Sequence, residues 1–159
     1  MAMHTWFECK IRYEKTMENG MNKKVTEPYL VDALSFTEAE ARIIEEMTPF
    51  ISGEFTVSDI KRANYSELFP CEEEAADRWF KCKLIFITLD EKSGAEKKTS
   101  TQVLVQAADL RDAVKKLDEG MKGTMADYQI GMVSETPLMD VYPYSAEPND
   151  KPEFDPSKA

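Results

Sequence analysis

Two short strings in this sequence carry an indole and an ammonium group at one spacing: Trp6 with Lys10, and Trp79 with Lys83. If each string forms a strand, alternation turns Trp6, Glu8, Lys10 and Arg12 to one face and Phe7, Cys9, Ile11 and Tyr13 to the other. The second string repeats this, with Trp79, Lys81, Lys83 and Ile85 opposite Phe80, Cys82, Leu84 and Phe86. The apolar sets suit burial under helices. The outer sets, joined by Ser100, Gln102 and Gln106, form an aromatic and cationic platform, and that chemistry fits single-stranded DNA. Bases stack on rings at about 1–3 kcal/mol each, while Lys and Arg meet phosphates. The expected nucleic-acid-binding residues are therefore Trp6, Lys10, Arg12, Trp79, Lys81 and Lys83. Taken singly, each Trp has a plainer reading, because a Trp that begins a strand commonly packs against a loop, a tail or another subunit. The chain is then a protein-interaction module, a homo-oligomer or a binder of a host protein, that uses the sheet face or an edge.

The rest of the composition narrows the chemistry. Twenty basic against thirty acidic residues give a formal charge of -10, which repels polyanions at long range, so any anion site must be local. His4 is the only histidine, and Cys9, Cys71 and Cys82 lack CxxC spacing. A Cys/His zinc site or a His-based triad has almost no material, and reduced thiols are expected. Glu38, Glu40, Glu45 and Glu46 read as the solvated face of a helix rather than as metal ligands. Lys115, Lys116 and Lys122 gather near a helix C-terminus, where the dipole favours cations. With no glycine-rich phosphate loop and no nucleophile elbow, a non-enzymatic protein without cofactor or metal is expected; an enzyme working through carboxylates and a divalent cation is the weakest alternative. The start has no basic or apolar leader and no stretch reaches membrane-spanning length, so a soluble, cytoplasmic protein with no membrane partner is expected. In that setting the sequon Asn64-Tyr65-Ser66 carries no meaning.

The elements that must position these residues come twice. Residues 6–13 match 79–86 at an offset of 73, with Trp, Phe, Cys and Lys identical. Residues 30–47 match 104–121 without a gap, and Leu30, Val31, Ala33, Ala39, Glu45 and Met47 find identical partners. Phe55, Val57, Ile60, Leu68, Phe69 and Pro70 then oppose Tyr128, Ile130, Val133, Val141, Tyr142 and Pro143. Three ordered blocks at nearly constant offset point to an internal duplication. Each copy reads as ββαβ. The hairpins turn at Met17–Gly20 and Asp90–Gly94. The helices are capped by Ser35 and Asp109, with stripes Phe36, Ala39, Ile43, Met47 and Leu110, Ala113, Val114, Leu117, Met121. The expected fold is α+β: one domain over 1–143 made of repeats 6–70 and 79–143, joined by an acidic linker 71–78. The repeats would share a mainly antiparallel, continuous sheet with both helices on one face, related by a pseudo-twofold. A mobile acidic tail, 144–159, would follow.

With these residues in view, the chain resembles the DUF4494 family of uncharacterised Bacteroidetes and phage proteins. The resemblance rests on Trp-Phe-Glu-Cys-Lys near the start, Lys-Val-Thr-Glu-Pro-Tyr-Leu-Val-Asp-Ala at 24–33 and Phe-Thr-Glu-Ala-Glu-Ala-Arg at 36–42. Residues 86–97, Phe-Ile-Thr-Leu-Asp-Glu-Lys-Ser-Gly-Ala-Glu-Lys, and 120–128, Gly-Met-Lys-Gly-Thr-Met-Ala-Asp-Tyr, extend it. It implies a Bacteroidetes cytoplasm, or the phages and mobile elements found there, and brings no catalytic residues.

Overall fold

A computed structural model describes residues 5–124 and 127–143 of the 159-residue chain; the expected tail lies outside the described residues. The elements are β1 (Thr5–Thr16), β2 (Asn22–Ala33), α1 (Phe36–Met47), β3 (Phe55–Ala63), β4 (Glu67–Phe69), β5 (Arg78–Leu89), β6 (Glu96–Ala107), α2 (Leu110–Gly120), β7 (Asp127–Glu135) and β8 (Asp140–Tyr142). The fold is α+β. Its strands form two mixed four-stranded sheets, β3-β1-β2-β8 and β4-β6-β5-β7, where the sequence pattern suggested one continuous sheet.

The two sheets follow one plan, with the strands paired in matching register. Each opens with a long antiparallel hairpin, in which Phe7 faces Val31 and Phe80 faces Val105. The hairpin turns need a left-handed residue, and Gly20 (φ 83°) and Gly94 (φ 73°) supply it, with Gly20 donating to Met17 O and Gly94 to Asp90 O. The third long strand pairs with the first across a bulge at equivalent places. Ser58 is the unpaired residue opposite Lys10/Ile11, and Gly131 the one opposite Lys83/Leu84. Both helices begin on a box of reciprocal bonds. Ser35 Oγ accepts from Glu38 N–H and Glu38 Oε1 from Leu34 N–H, while Asp109 and Asp112 do the same with Asp112 N–H and Ala108 N–H.

Each helix covers the face that alternation predicts. Phe7, Cys9, Ile11, Val31 and Ala33 pack with Ala39, Ile43 and Met47; Phe80, Cys82, Leu84, Val103, Val105 and Ala107 pack with Ala113, Leu117 and Met121. The stripes begin one turn later than expected. Phe36 and Leu110 are 45% and 52% exposed, because a residue at the first helical position gains cover on one side only. Phe36 meets Phe7 edge-on at 4.9 Å and takes the Arg62 guanidinium 5.5 Å from its ring centroid.

The last strand of each repeat lies in the other repeat's sheet. β4 follows β3 in the chain but runs parallel to β6, and β8 follows β7 but runs parallel to β2. The described residues accordingly divide into two compact units, 5–63 with 138–143, and 64–137. Pro28 fits this arrangement. A residue's N and C=O point to the same side of a strand, and Pro28 O accepts from Met139 N–H at 2.9 Å, so the missing N–H falls toward β8 and the β1–β2 ladder stays whole.

Candidate interaction surfaces

The six residues expected to bind nucleic acid lie on the faces turned away from the helices, but they are not equally accessible. Arg12 and Lys83 are exposed, Trp6, Lys10 and Lys81 are half-buried, and Trp79 is only 5% exposed. The expectation of two bare indoles is thereby corrected. Polypeptide and apolar side chains occupy this face. Leu104, opposite Lys81, is fully buried, and Gln106, opposite Trp79, accepts from the Cys71 amide at 2.9 Å. Leu30, opposite Glu8 in the first sheet, is likewise fully buried. The segment 71–78 is held down as well, through Lys116 Nζ to Glu73 Oε1 at 3.1 Å. Around Lys83 there remains a polar hollow of about 270 Å³ lined by Asn64, Ser100, Thr101 and Gln102.

The outer strands β3 and β7 form one edge of each sheet and differ in chemistry. β3 carries Asp59, Lys61 and Arg62, all exposed. β7 carries no charge between Asp127 and Glu135, and Ile130 and Met132 are 37% and 41% exposed. Met132 stands where β3 has Asp59 and Ser134 where it has Lys61, so an edge guarded by charge in one unit is unguarded in the other. Comparing the copies for charge, rather than for apolar matches, reads this difference from the sequence.

The sequence matches the family described as Domain of unknown function (DUF4494) over residues 5–144. The chain belongs to the DUF4494 family. The match spans both sheets. No curated protein matches the sequence.

The two halves of this DUF4494 domain also diverge at a polar cluster that sequence reading missed. Tyr13 and Tyr29 hydroxyls both donate to Glu27 Oε1, at 2.9 and 3.2 Å, with Lys15 Nζ 3.8 Å from Oε2. Tyr29 stacks on Tyr142 at 6.2 Å. The equivalent positions in the second half are Phe86, Thr101, Val103 and Phe69, which removes the hydroxyls and the charge. Burial and the Glu27 carboxylate raise the Tyr29 hydroxyl, burial and the same carboxylate raise Tyr13, and burial with Asp140 nearby raises Tyr142 to about 12. Each acid is thus weaker folded than at its ordinary value of about 10. The folded state holds protons that the unfolded chain releases, so this stabilisation is complete below pH 10 and is lost as pH rises through the folded values. An alkaline titration followed at the tyrosinate absorbance should show a class of tyrosines ionising only with unfolding of the first unit; ionisation of every tyrosine near 10 without unfolding would contradict the cluster.

Other reactive groups are muted. Burial pushes the Cys9 thiol up to about 12 and Cys82 up to about 11, which leaves both as unreactive core residues. Among the described residues no three His, Cys, Asp or Glu side chains are gathered as a metal site needs, and no helix is long and apolar enough to cross a membrane.

Proposed function

We propose that this DUF4494 protein is a non-enzymatic binding protein whose ligand is an extended segment of another protein, added as a strand to the open edge of β7. The carrying observation is the contrast between two edges built on one plan. A strand edge presents a row of unpaired backbone groups, and proteins that do not use an edge guard it with charge. β3 is guarded in this way by Asp59 and Lys61, whereas β7 has Met132 and Ser134 at those places, with Ile130 and Met132 exposed and its charges, Asp127 and Glu135, only at its two ends. In strand addition the main chain supplies affinity and alternate side chains supply selectivity, so the segment that fits is uncharged and apolar at every second position. The bulge at Gly131 limits pairing to one stretch on either side of it. Single-stranded DNA has less support: stacking needs bare rings, Trp79 is buried, and the net charge of -10 opposes a polyanion.

A photo-reactive residue placed at Met132, in the cells that make the protein, should give an adduct with another polypeptide, while the same residue at Asp59 should give none. With the photo-reactive residue at Ile130 instead, Met132→Lys should reduce adduct at least tenfold, equivalent to about 1.4 kcal/mol of binding. Equal labelling at both edges, no adduct at Met132, or competition by an oligonucleotide would overturn the reading.

A further inference from the structure

The strands that close the two sheets share one chemical pattern. Glu67-Leu68-Phe69-Pro70 and Asp140-Val141-Tyr142-Pro143 both read acidic, aliphatic, aromatic, proline. They meet their sheets in the same register, Leu68 beside Leu104 and Val141 beside Leu30, and both acceptor leucines are fully buried. The approach is also shared. Ser66 N–H donates to Gln102 O at 2.8 Å, and Met139 N–H to Pro28 O at 2.9 Å. Beyond each strand a cation on the helix holds the departing chain: Lys116 bonds Glu73, and Arg42 Nη2 donates to Pro143 O at 3.1 Å while its Nη1 donates to Asp32 O. The outer edges of β2 and β6 are thus matched receptors for one kind of segment, and in each case that segment comes from the other repeat's sequence.

We propose that the β2 edge is an exchange site that takes β8 from a second copy of this chain, giving a dimer closed by reciprocal strand exchange. Chain order singles out β8. β8 is the part of the first unit that the whole of the second unit, 64–137, separates along the chain from the rest of it, whereas β4 runs on within its own unit into β5. Its ladder has three residue pairs, so few bonds must open. Every bond broken within one chain re-forms between two chains, so the balance depends on concentration and on the hinge. A second copy brings the acidic-aliphatic-aromatic-proline segment to an edge already shaped for it.

The test uses the full chain, unfolded and refolded at low and at high concentration, then resolved by size exclusion with light scattering. A dimer should appear only after refolding at high concentration and should persist on dilution. In a Cys71→Ser background, the pair Leu30→Cys and Val141→Cys should oxidise to a covalent dimer in the dimer fraction and to an intramolecular disulfide in the monomer fraction. Should that variant not fold, the neighbouring pair Tyr29→Cys and Asp140→Cys, at the more exposed end of the same ladder, should give the same two outcomes. Absence of any dimer, or a dimer with intramolecular disulfides only, would overturn the proposal. The second of these results would leave the β7 edge as the dimer contact, so the two surfaces are tested separately.

Discussion

Replacing Trp79 with alanine should cost about 3–5 kcal/mol of folding free energy, and replacing Trp6 should cost distinctly less. The two residues occupy equivalent places in their sheets, Trp6 opposite Asp32 and Trp79 opposite Gln106, so composition alone predicts equal effects. Burial separates them: Trp79 is 5% exposed and Trp6 is half-buried. Truncating a sealed indole forfeits its transfer free energy and leaves a cavity, which the surroundings fill only in part. Relaxation is restricted here because Thr136 donates both its amide, at 2.9 Å, and its hydroxyl, at 2.8 Å, to the Trp79 carbonyl, fixing the backbone beneath the ring. Urea denaturation measures the difference, with the midpoint falling and the slope unchanged. Exposed Arg12 and Lys83, replaced by alanine, should stay within about 0.5 kcal/mol of the parent. A Trp79→Ala protein as stable as its parent would mean that the indole is a surface ring, and the stacking platform for single-stranded DNA would regain its footing.

What could be read from the sequence, and what could not, follows from the range of each signal. Alternation in residues 6–13 and 79–86 and helical spacing at Ala39, Ile43 and Met47 are local consequences of backbone geometry. They identified the buried faces, the α+β class and the first four elements of each copy, ββαβ, to which the structure adds a short fifth, β4 or β8. Phe36 and Leu110 marked the limit of that logic: the period places a residue on the correct stripe, but only the length of the opposing sheet decides whether the end of the stripe is covered. The destination of β4 and β8 was out of reach. Glu67–Phe69 and Asp140–Tyr142 are apolar enough to be strands, yet the acceptor of a three-residue strand is set by the path of the whole chain. For the same reason the burial of Trp79 was left open, since strand alternation assigns it a face without saying whether that face is an interior. The asymmetries between copies, Asp59 against Met132 and Glu27 against Thr101, were present in the alignment of the halves and are found by asking where equivalent positions differ in charge.

Leu117→Ala in the second unit should lower the unfolding transitions of both units, whereas Ile43→Ala in the first should lower that of the first alone. Both side chains are fully buried beneath their helices, and each truncation should cost about 2–5 kcal/mol locally. The asymmetry comes from chain order. The second unit, 64–137, is one continuous stretch that contains all four strands of its sheet. The first is in two pieces, 5–63 and 138–143, and the second unit is the span between them. When the second unit is folded, it presents β8 as a tethered strand. When it unfolds, β2 must recapture β8 across a flexible loop, at an entropic cost of about 4 kcal/mol for a loop of that length. Three residue pairs cannot offset this, given that ordering each residue itself costs about 1–2 kcal/mol. The chain carries its own reporters, because its two tryptophans lie one in each unit, Trp6 in the first and Trp79 in the second. Single-tryptophan variants, Trp79→Phe and Trp6→Phe, read each transition separately in denaturant. Leu117→Ala should move both curves together, and Ile43→Ala should pull the Trp6 curve below the Trp79 curve. Coincident curves in the Ile43→Ala protein would show that the second unit depends on the first by more than the strand it donates, and the insertion logic would fail.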